Sequence, residues 1–397
     1  MHPPFPAESP ERTPVIVACR RTPFGLSDGV RGLFRHVRGD ELAARAVAAA
    51  VARAGIDPRQ VADVVLGTTQ PRGELGGNAA RAVALLAGLP PSVGGVTVDR
   101  GDASGLEALL RAARSIAAGA EDVLVAAGVD HLHRLPAAAG VDHHPRLLRG
   151  SSRGVLSAGL VAEHLAGALG IARARQEDHA AASHARALGA PDAALVPVEG
   201  HDPGGGLVEA RADQGPRRDV SAAALAALGP SFLPGSGTIT AGTSAPDADG
   251  AAAVVVMSAA GAERLAVTPL ARVVAGAVAG VSPAAAGTAA ASAIARLLDR
   301  AGLAPSEVDL YEVDETWAAV TLATIDRLRL DPDCVNVRGG AVAIGHAPGA
   351  TGLRMAMSLV QALGERRARR GVVAMGSSLG QGIALLIERC APWDAAP

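Results

Sequence analysis

Short apolar runs alternate along the chain with longer stretches in which apolar residues recur every three or four positions. The runs VIVA (15–18), VADVVLGT (61–68) and EDVLVAAG (121–128) have the length and composition of buried strands. The stretches ELAARAVAAAVARAGI (41–56) and LEALLRAARSIAAGA (106–120) have helical spacing. This order is typical of βαβ units, in which helices cover the faces of a sheet. The pattern therefore predicts an α/β fold.

The second half of the chain repeats part of the first. The stretch AGIDPRQV, from Ala54, matches AGLAPSEV, from Ala301. In the same register, ASGL, from Ala103, matches ATGL, from Ala350. Two matches with one common offset, each beside a predicted helix, are better explained by an internal duplication than by chance. The sequence therefore predicts two related α/β halves.

Between the two halves the pattern loosens into segments rich in Gly, Pro, His and Arg, such as HLHRLPAAAGVDHHPRLLRGSSRG. Such segments are typical of long loops around a few helices. We therefore predict an N-terminal α/β half at residues 1–129, an inserted loop subdomain at 130–249 and a C-terminal α/β half at 250–397.

Composition narrows the class of protein. The 397 residues are 49% apolar, and the formal net charge of −2 implies no general attraction to nucleic acid or to an anionic membrane. All the basic side chains apart from histidine are arginines, which excludes Schiff-base catalysis and the lysine of a Walker loop. No segment reads as a secretory signal or a membrane span, so a cytoplasmic location is expected.

Cysteine and histidine spacing gives no sign of a metal centre. Three cysteines, Cys19, Cys334 and Cys390, are far apart, which argues against a disulfide framework and fits a reducing compartment. The histidines of the loop segment lack the spacing of metal ligands, so we expect exposed loop residues and no metal at His131, His133, His143 and His144.

The most specific stretch is NVRGGAVAIGHAPGATG, residues 336–352, in which glycines surround His346. It resembles the thiolase family's signature N-x-x-G-G-A-x-A-x-G-H-P-x-G-A-[ST]-G. Other segments resemble the family in the same order along the chain, among them RRTPFG, VTVDRGDASGL, GTITAGTSAPDADGAA and GSSLGQG. The resemblance implies a duplicated five-layered α-β-α-β-α fold, an active site between the halves, and dimers or tetramers.

The resemblance also assigns catalytic positions, residue by residue. The family's nucleophilic cysteine, activated by a helix N-terminus, falls on Asp102, and the cysteine that moves a proton falls on Gly376. The NEAF motif reads DETW here, which puts Asp314 in place of an asparagine, whereas His346 is retained. We therefore take Asp102, Asp314 and His346 as the catalytic candidates. Two carboxylates in one pocket would raise the pKa of one of them.

Each catalytic candidate also has a structural interpretation that the sequence leaves open. Asp102 stands where a helix N-cap is expected, and aspartate is among the best capping residues. Asp314 would be an ordinary solvated or arginine-paired carboxylate, and His346 a hydrogen-bonded histidine in a glycine-rich loop.

The resemblance places substrate-binding positions in three segments. Ser157 stands where the family has a pantetheine-contacting histidine, and Gly376, Ser377 and Gly380 line the turn of the second cysteine. In GTSAPDADG, Pro246 replaces a glycine and removes a backbone N–H donor.

Three functions follow from these residues. The favoured one is a divergent enzyme that acts on an acyl thioester or β-keto compound without a cysteine acyl-enzyme. Asp102 would be its general base, because forming a mixed anhydride from a thioester is uphill, and His346 would polarise a carbonyl. The alternative is a non-catalytic structural or regulatory subunit, a pseudoenzyme. Conventional acetyl-CoA acyltransferase activity is disfavoured, because the motif places no thiolate at residue 102.

Partners follow from the same resemblance. The expected substrate is an acyl-CoA or acyl-carrier thioester, and no cofactor other than this thioester is suggested. The chain is expected to form a homo-oligomer, such as a homodimer, or to pair with a thiolase-like homologue.

Overall fold

A computed structural model describes residues 10–135, 143–148 and 152–390. The elements up to residue 131 are β1 (Pro14–Arg21), β2 (Gly25–Leu26), α1 (Gly39–Ala54), β3 (Asp63–Gly67), α2 (Ala79–Leu86), β4 (Gly94–Val98), α3 (Ser104–Ala117) and β5 (Val123–His131). The middle of the chain holds α4 (Ala158–Leu169), α5 (Arg173–Gly189), β6 (Val198–His201), β7 (Leu207–Ala210) and α6 (Ala222–Ala226).

The remaining elements belong to the C-terminal part of the chain. They are β8 (Ala248–Ser258), α7 (Ala259–Arg264), β9 (Ala271–Gly280), α8 (Ala289–Ala301), β10 (Leu310–Val313), α9 (Ala318–Leu328), α10 (Ala341–Ile344), α11 (Pro348–Glu365), β11 (Arg370–Ser377) and β12 (Gln381–Arg389). No helix in the described part of the chain is long and apolar enough to cross a membrane.

The strands form one mixed sheet in the order β10-β11-β12-β9-β1-β8-β5-β3-β4, with β2 beside β8. Strand β3 runs parallel to β4 and β5, and β10 runs parallel to β11, whereas the pairings from β5 through β8, β1, β9 and β12 to β11 are antiparallel. The two halves therefore meet where β1 pairs with β9.

Buried side chains form three hydrophobic clusters, one around the middle helical layer and one beneath each outer helical layer. Helices α3 and α11 pack against each other and supply much of the central cluster between the two parts of the sheet. Helices α1 and α2 cover the outer face of the first half, and α8 and α9 cover that of the second half. The predicted five-layered α/β fold is confirmed.

The duplication is visible in matched helix ends. Helix α1 ends at Ala54 and α8 ends at Ala301, the two alanines that the sequence match aligned. Each helix is followed by a glycine in the left-handed conformation, Gly55 (φ 67°) and Gly302 (φ 66°), which provides the backbone of a C-cap. The two halves thus share capping chemistry as well as element order.

Sheet pairing places the end of the first half later than the predicted boundary at residue 250. That boundary cuts β8, which pairs with β1 and β5 and so belongs to the sheet of the first half. The apolar run AAAVVVM does not indicate by itself which half its strand belongs to, because the strand's pairing partners are set by tertiary structure. The predicted insertion does contain loops, three helices and the hairpin β6–β7, and its residues 136–142 and 149–151 lie outside the described residues.

Close packing of α3 on α11 depends on the glycines of ASGL and ATGL. A Cβ atom on Gly105 would lie 2.5 Å from the carbonyl oxygen of Gly349, and one on Gly352 would lie 2.8 Å from Cγ of Leu106. Real Cβ atoms essentially never approach so closely. The two repeats therefore keep a glycine at the point where the helices cross.

We expect Gly105→Ala to lower the free energy of unfolding by about 1–3 kcal/mol, because the added methyl group overpacks the helix contact. Urea denaturation followed by circular dichroism measures the change. The matched control is Gly167→Ala in α4, where a Cβ atom meets nothing within 4 Å. This control is expected to be neutral or stabilising by about 0.4–1 kcal/mol. Equal effects of the two substitutions would contradict the packing argument.

Candidate active site

Asp102 lies in the turn that joins β4 to α3. The turn is held by Ser104, whose Oγ accepts the N–H of Arg100 at 2.9 Å and donates to the carbonyl of Gly101 at 2.6 Å. Gly101 has φ +55°, and a Cβ atom there would lie 2.3 Å from Oγ of Ser377. Glycine is therefore required at this position, and the turn packs directly against the C-terminal end of β11.

Asp102 is not the cap of α3. The N-cap residue is Ala103, which makes no side-chain hydrogen bond to the helix. The Asp102 carboxylate is 35% exposed, and its Oδ1 lies 3.7 Å from Nε2 of His346. The contact is an ion pair rather than a hydrogen bond. Of the two interpretations left open for Asp102, the structure thus favours a carboxylate directed at the histidine.

His346 is held on both its backbone and its imidazole. Its N–H donates to the carbonyl of Pro246, and its carbonyl accepts the N–H of Ala248, both at 2.9 Å. Nδ1 lies 3.1 Å from Oγ1 of Thr351, whose hydroxyl donates to the carbonyl of Ala347 at 3.0 Å. The hydroxyl oxygen therefore accepts Nδ1–H, and this leaves Nε2 facing Asp102 without a hydrogen-bond partner.

Carboxylates surround the His346 imidazole and raise its pKa. Burial by itself lowers the pKa, but the contact with Asp102 and the negative charges of Asp102, Asp314 and Asp247 outweigh it. The protonated form of the imidazole is therefore more stable here than in an ordinary histidine.

Asp314 is a buried carboxylate in the same site. Its Oδ1 accepts the N–H of Thr316 at 2.9 Å and the hydroxyl of Thr316 at 2.7 Å, and its Oδ2 accepts the N–H of Gly376 at 3.2 Å. Burial raises the pKa of Asp314, and the negative charge of Asp102 adds to the rise, although the bonds from Thr316 and the charge of His346 oppose it. No arginine pairs with Asp314 among the described residues.

Glu315 anchors the glycine-rich segment behind the site. Its carboxylate accepts bonds from His179, Ser183, Asn336 and the N–H of Val342, at distances of 2.5–3.2 Å. These donors outweigh burial and lower the pKa of Glu315. Glu315 is therefore a buried anion that fixes the start of α10, and it was not among the sequence candidates.

Three of the predicted substrate-binding residues, Gly376, Ser377 and Gly380, lie at the end of β11 and in the turn that follows it. A Cβ atom on Gly376 would lie 3.2 Å from Oδ2 of Asp314, so the site has little space for a larger residue there. Ser377 is 7% exposed, and its Oγ has no hydrogen-bond partner within the described residues. Gly380 has φ +81° and approaches the carbonyl of Val281. Gly376 therefore borders Asp314 and Ser377 borders Gly101, whereas Gly380 packs against Val281.

Ser157 reaches the same neighbourhood only at its edge. Its hydroxyl accepts the N–H of Leu160 at 3.4 Å and caps α4. The turn Arg153–Leu156 just before it contacts the turn Ser378–Gly380. Two direct neighbours of His346 were not among the sequence candidates. Thr351 belongs to the same glycine-rich signature, whereas Asp247 comes from a separate segment that only the fold brings beside His346.

The cysteines and loop histidines lie elsewhere. Cys19 is buried in β1, and burial raises the pKa of its thiol to about 12. The expectation of exposed loop histidines is wrong for His131, which is buried at the end of β5 and whose Nε2 donates to the carbonyl of Phe34. Among the described residues, no group of three or more His, Cys, Asp and Glu side chains is arranged to hold a metal ion.

The site predicts a pH dependence that nuclear magnetic resonance can measure. The His346 imidazole is expected to titrate above the ordinary histidine pKa of about 6.5. Protonated His346 then contributes its full stabilisation of the fold below about pH 6.5, the ordinary pKa. This contribution is lost as the pH rises through the raised pKa of the folded chain. In Asp102→Asn the pKa of His346 is expected to fall, because burial still disfavours the imidazolium after the negative charge of Asp102 has been removed.

The protein is prepared with isotope-labelled histidine, and the His346 signal is identified as the one that is absent from the spectrum of His346→Gln. The matched control is Asp178→Asn, which removes an exposed carboxylate of α5 and is expected to leave the titration unchanged. An identical midpoint for Asp102→Asn and the wild type would show that Asp102 does not act on the imidazole.

Comparisons with known proteins cover nearly the whole chain. The family model described as "Thiolase, N-terminal domain" matches residues 14–260, and the model described as "Thiolase, C-terminal domain" matches residues 267–389. The chain is 40% identical over 386 residues to a protein of Vibrio cholerae named 3-ketoacyl-CoA thiolase, covering 95% of this chain and 99% of that protein. A protein of Aeromonas hydrophila with the same name is 40% identical over 384 residues, covering 94% and 99%.

A solved structure has the same fold. The crystal structure of an acetyl-CoA acetyltransferase of Bacillus anthracis superposes with a TM-score of 0.85 and 34% sequence identity. The match covers 95% of this chain and 99% of that chain.

Proposed function

Because this chain belongs to the thiolase family, we propose that it cleaves 3-ketoacyl-CoA with CoA, releasing acetyl-CoA and a shortened acyl-CoA. The observation that carries the proposal is the similarity, over almost the full length, to proteins named 3-ketoacyl-CoA thiolase. The arrangement of His346 between two carboxylates supports it, because it supplies groups for acyl and proton transfer.

The comparisons contradict the function that the sequence favoured. The interpretation as a divergent enzyme without conventional thiolase activity is wrong, and so is its pseudoenzyme alternative, because full-length relatives carry the thiolase name. That interpretation rested on the substituted motif positions, chiefly Asp102, Gly376 and Asp314, whereas the similarity to named thiolases extends over nearly the whole chain. Thiolases need no cofactor beyond the CoA thioester, which agrees with the expectation for cofactors.

We assign the acyl-accepting role to Asp102. Its carboxylate attacks the 3-keto carbon, the bond between C2 and C3 breaks, and the acyl group is held on Asp102 as an anhydride. The thiol of a second CoA then attacks the anhydride, forms the new thioester and releases the carboxylate. The anhydride lies uphill of a thioester, so it is held only transiently. The attack of the CoA thiol, which forms the more stable thioester, draws it off.

His346 donates the proton of the first step and accepts the proton of the second. As an imidazolium it donates to C2 of the departing acetyl-CoA enolate, and it recovers a proton from the attacking CoA thiol, so protons balance over the cycle. The raised pKa of His346 supports this role, since the group must be protonated at the start. Asp314 stabilises the imidazolium by its charge and positions the N–H of Gly376.

Thiolysis of acetoacetyl-CoA and of longer 3-ketoacyl-CoA, followed by the loss of substrate absorbance in the presence of CoA, tests the proposal. Pretreatment with iodoacetamide distinguishes this chain from a contaminating cysteine-dependent thiolase. Cys19 is buried and the other two cysteines lie outside the site, so the activity is expected to survive alkylation. Absence of CoA-dependent cleavage for every chain length, or its complete loss on alkylation, would contradict the proposal.

Assembly and location remain predictions. Acyl-CoA as the substrate class and assembly into an oligomer are supported by the similarity to acyl-CoA enzymes of this family. A homodimer, pairing with a homologue, an acyl-carrier thioester as substrate and a cytoplasmic location are expectations from the sequence. Size-exclusion chromatography with light scattering measures the assembly directly.

A further inference from the structure

A groove of about 590 Å³ lies at the junction of the two halves, and neither Asp102 nor His346 lines it. Its walls come from β1, from the end of α1, from the link between α7 and β9, and from the second half of α11. We call it the linker groove. Its larger apolar side chains are Val17, Leu265, Val267, Leu270, Met357 and Val360.

Two arginines, Arg20 and Arg53, are the charged side chains of the linker groove, and no carboxylate lines it among the described residues. Arg53 is exposed and makes no ion pair or side-chain hydrogen bond with the described part of the chain. Nη1 of Arg20 donates to the carbonyls of Cys19 and Ala193, both at 3.0 Å, whereas its other N–H groups have no partner among the described residues. The groove thus holds guanidinium donors that nothing in the described chain satisfies.

The charges of the two arginines act on each other. Burial lowers the pKa of Arg20, and the positive charge of Arg53 lowers it further. The carboxylate whose negative charge acts on Arg20, Asp192, is already bound to Arg21 at 2.7 Å and to Gln361 at 2.8 Å. An anion placed between Arg20 and Arg53 would relieve their repulsion without competing with an existing ion pair.

We propose that the linker groove binds the free carboxylate of an aliphatic acid, with its hydrocarbon chain on the apolar walls. Arginine is the side chain best suited to carboxylate, because its N–H groups form a planar fork that matches the two oxygens. The volume is within the range of roughly 300–1,000 Å³ that small-molecule sites occupy. Inorganic anions would leave the apolar walls uncovered, and neutral lipids would leave both guanidinium groups without an anionic partner.

Isothermal titration of the full chain with dodecanoate tests the proposal, since its readout is binding and not thiolysis. Saturable binding is expected to weaken by roughly fourfold for each methylene removed, in a series from dodecanoate to octanoate. Dodecanol and acetate are expected to bind at least about tenfold more weakly than dodecanoate. Binding is expected to be the same in Asp102→Ala and in the presence of CoA, which separates the linker groove from the acyl site.

Variants of the two arginines locate the ligand. Arg53→Gln is expected to weaken dodecanoate binding at least about tenfold, and it removes no ion pair or side-chain hydrogen bond made with the described residues. Arg20→Gln is expected to have the same effect, although it also removes two bonds to carbonyls. Arg59→Gln, an exposed arginine paired with Asp57 outside the groove, is the matched control. Absence of saturable binding, or equal binding by wild type and Arg53→Gln, overturns the proposal.

Discussion

Replacing Asp102 by alanine is expected to lower kcat for 3-ketoacyl-CoA thiolysis by at least about a thousandfold, the cost of removing a covalent nucleophile. The carboxylate lies 3.7 Å from Nε2 of His346, and the alanine variant leaves that imidazole without its nearest anion. Steady-state kinetics with acetoacetyl-CoA measure the loss. Hydroxylamine added with substrate is expected to release acyl hydroxamate from the wild type and not from the variant.

Two further substitutions sharpen the result. Asp178→Ala, at an exposed position of α5, is expected to retain wild-type kinetics. Asp102→Cys places a thiol in front of α3, where the helix N-terminus lowers thiol pKa values. Its activity is expected to be abolished by iodoacetamide, unlike that of the wild type. Wild-type kcat in Asp102→Ala would remove Asp102 from the reaction.

The stability of the fold is expected to depend on pH through Glu312. This residue of β10 is 1% exposed, and neither of its carboxylate oxygens has a hydrogen-bond partner within the described residues. Burial raises the pKa of Glu312 to about 8, despite the opposing positive charge of Arg354 on α11. The folded chain therefore holds a proton on Glu312 that the unfolded chain loses near the ordinary pKa of about 4.3.

Protons are bound more tightly by the folded chain, so the free energy of unfolding falls as pH rises from about 4.3 to about 8. The slope from this group is at most about 1.4 kcal/mol per pH unit. Glu312→Gln is expected to remove that contribution, measured as the difference between the urea unfolding energies of variant and wild type across the pH range. Glu263→Gln, at an exposed residue of α7, serves as the control. Parallel curves for Glu312→Gln and the wild type would show that Glu312 has an ordinary pKa.

The apolar pattern was sufficient for most of the elements that carry the site. The stretch 106–120 predicted a helix, and α3 spans Ser104–Ala117; the run 121–128 predicted a strand, and β5 spans Val123–His131. These elements follow from local spacing, since a helix or strand must bury one face wherever it packs. The boundary near residue 250 did not follow, because β8 gains its partners from strands far away in sequence.

Sequence by itself determined the family and the identity of the groups in the site. The motifs around Asp102, Asp314 and His346 are local strings, and the duplicated ASGL and ATGL segments required no coordinates to find. It also determined that no cysteine stands at residues 102 and 376. These facts depend only on residue order.

Tertiary structure alone decided how those groups act. Asp102 does not cap α3, because Ala103 occupies the N-cap position. Asp102 lies beside His346 because α3 and α11 cross closely at two glycines. The imidazole is stabilised as a cation because Asp102 and Asp314 approach it from separate segments. Electrostatic energy depends on distances and burial, and residues far apart in sequence set both only after the chain has folded.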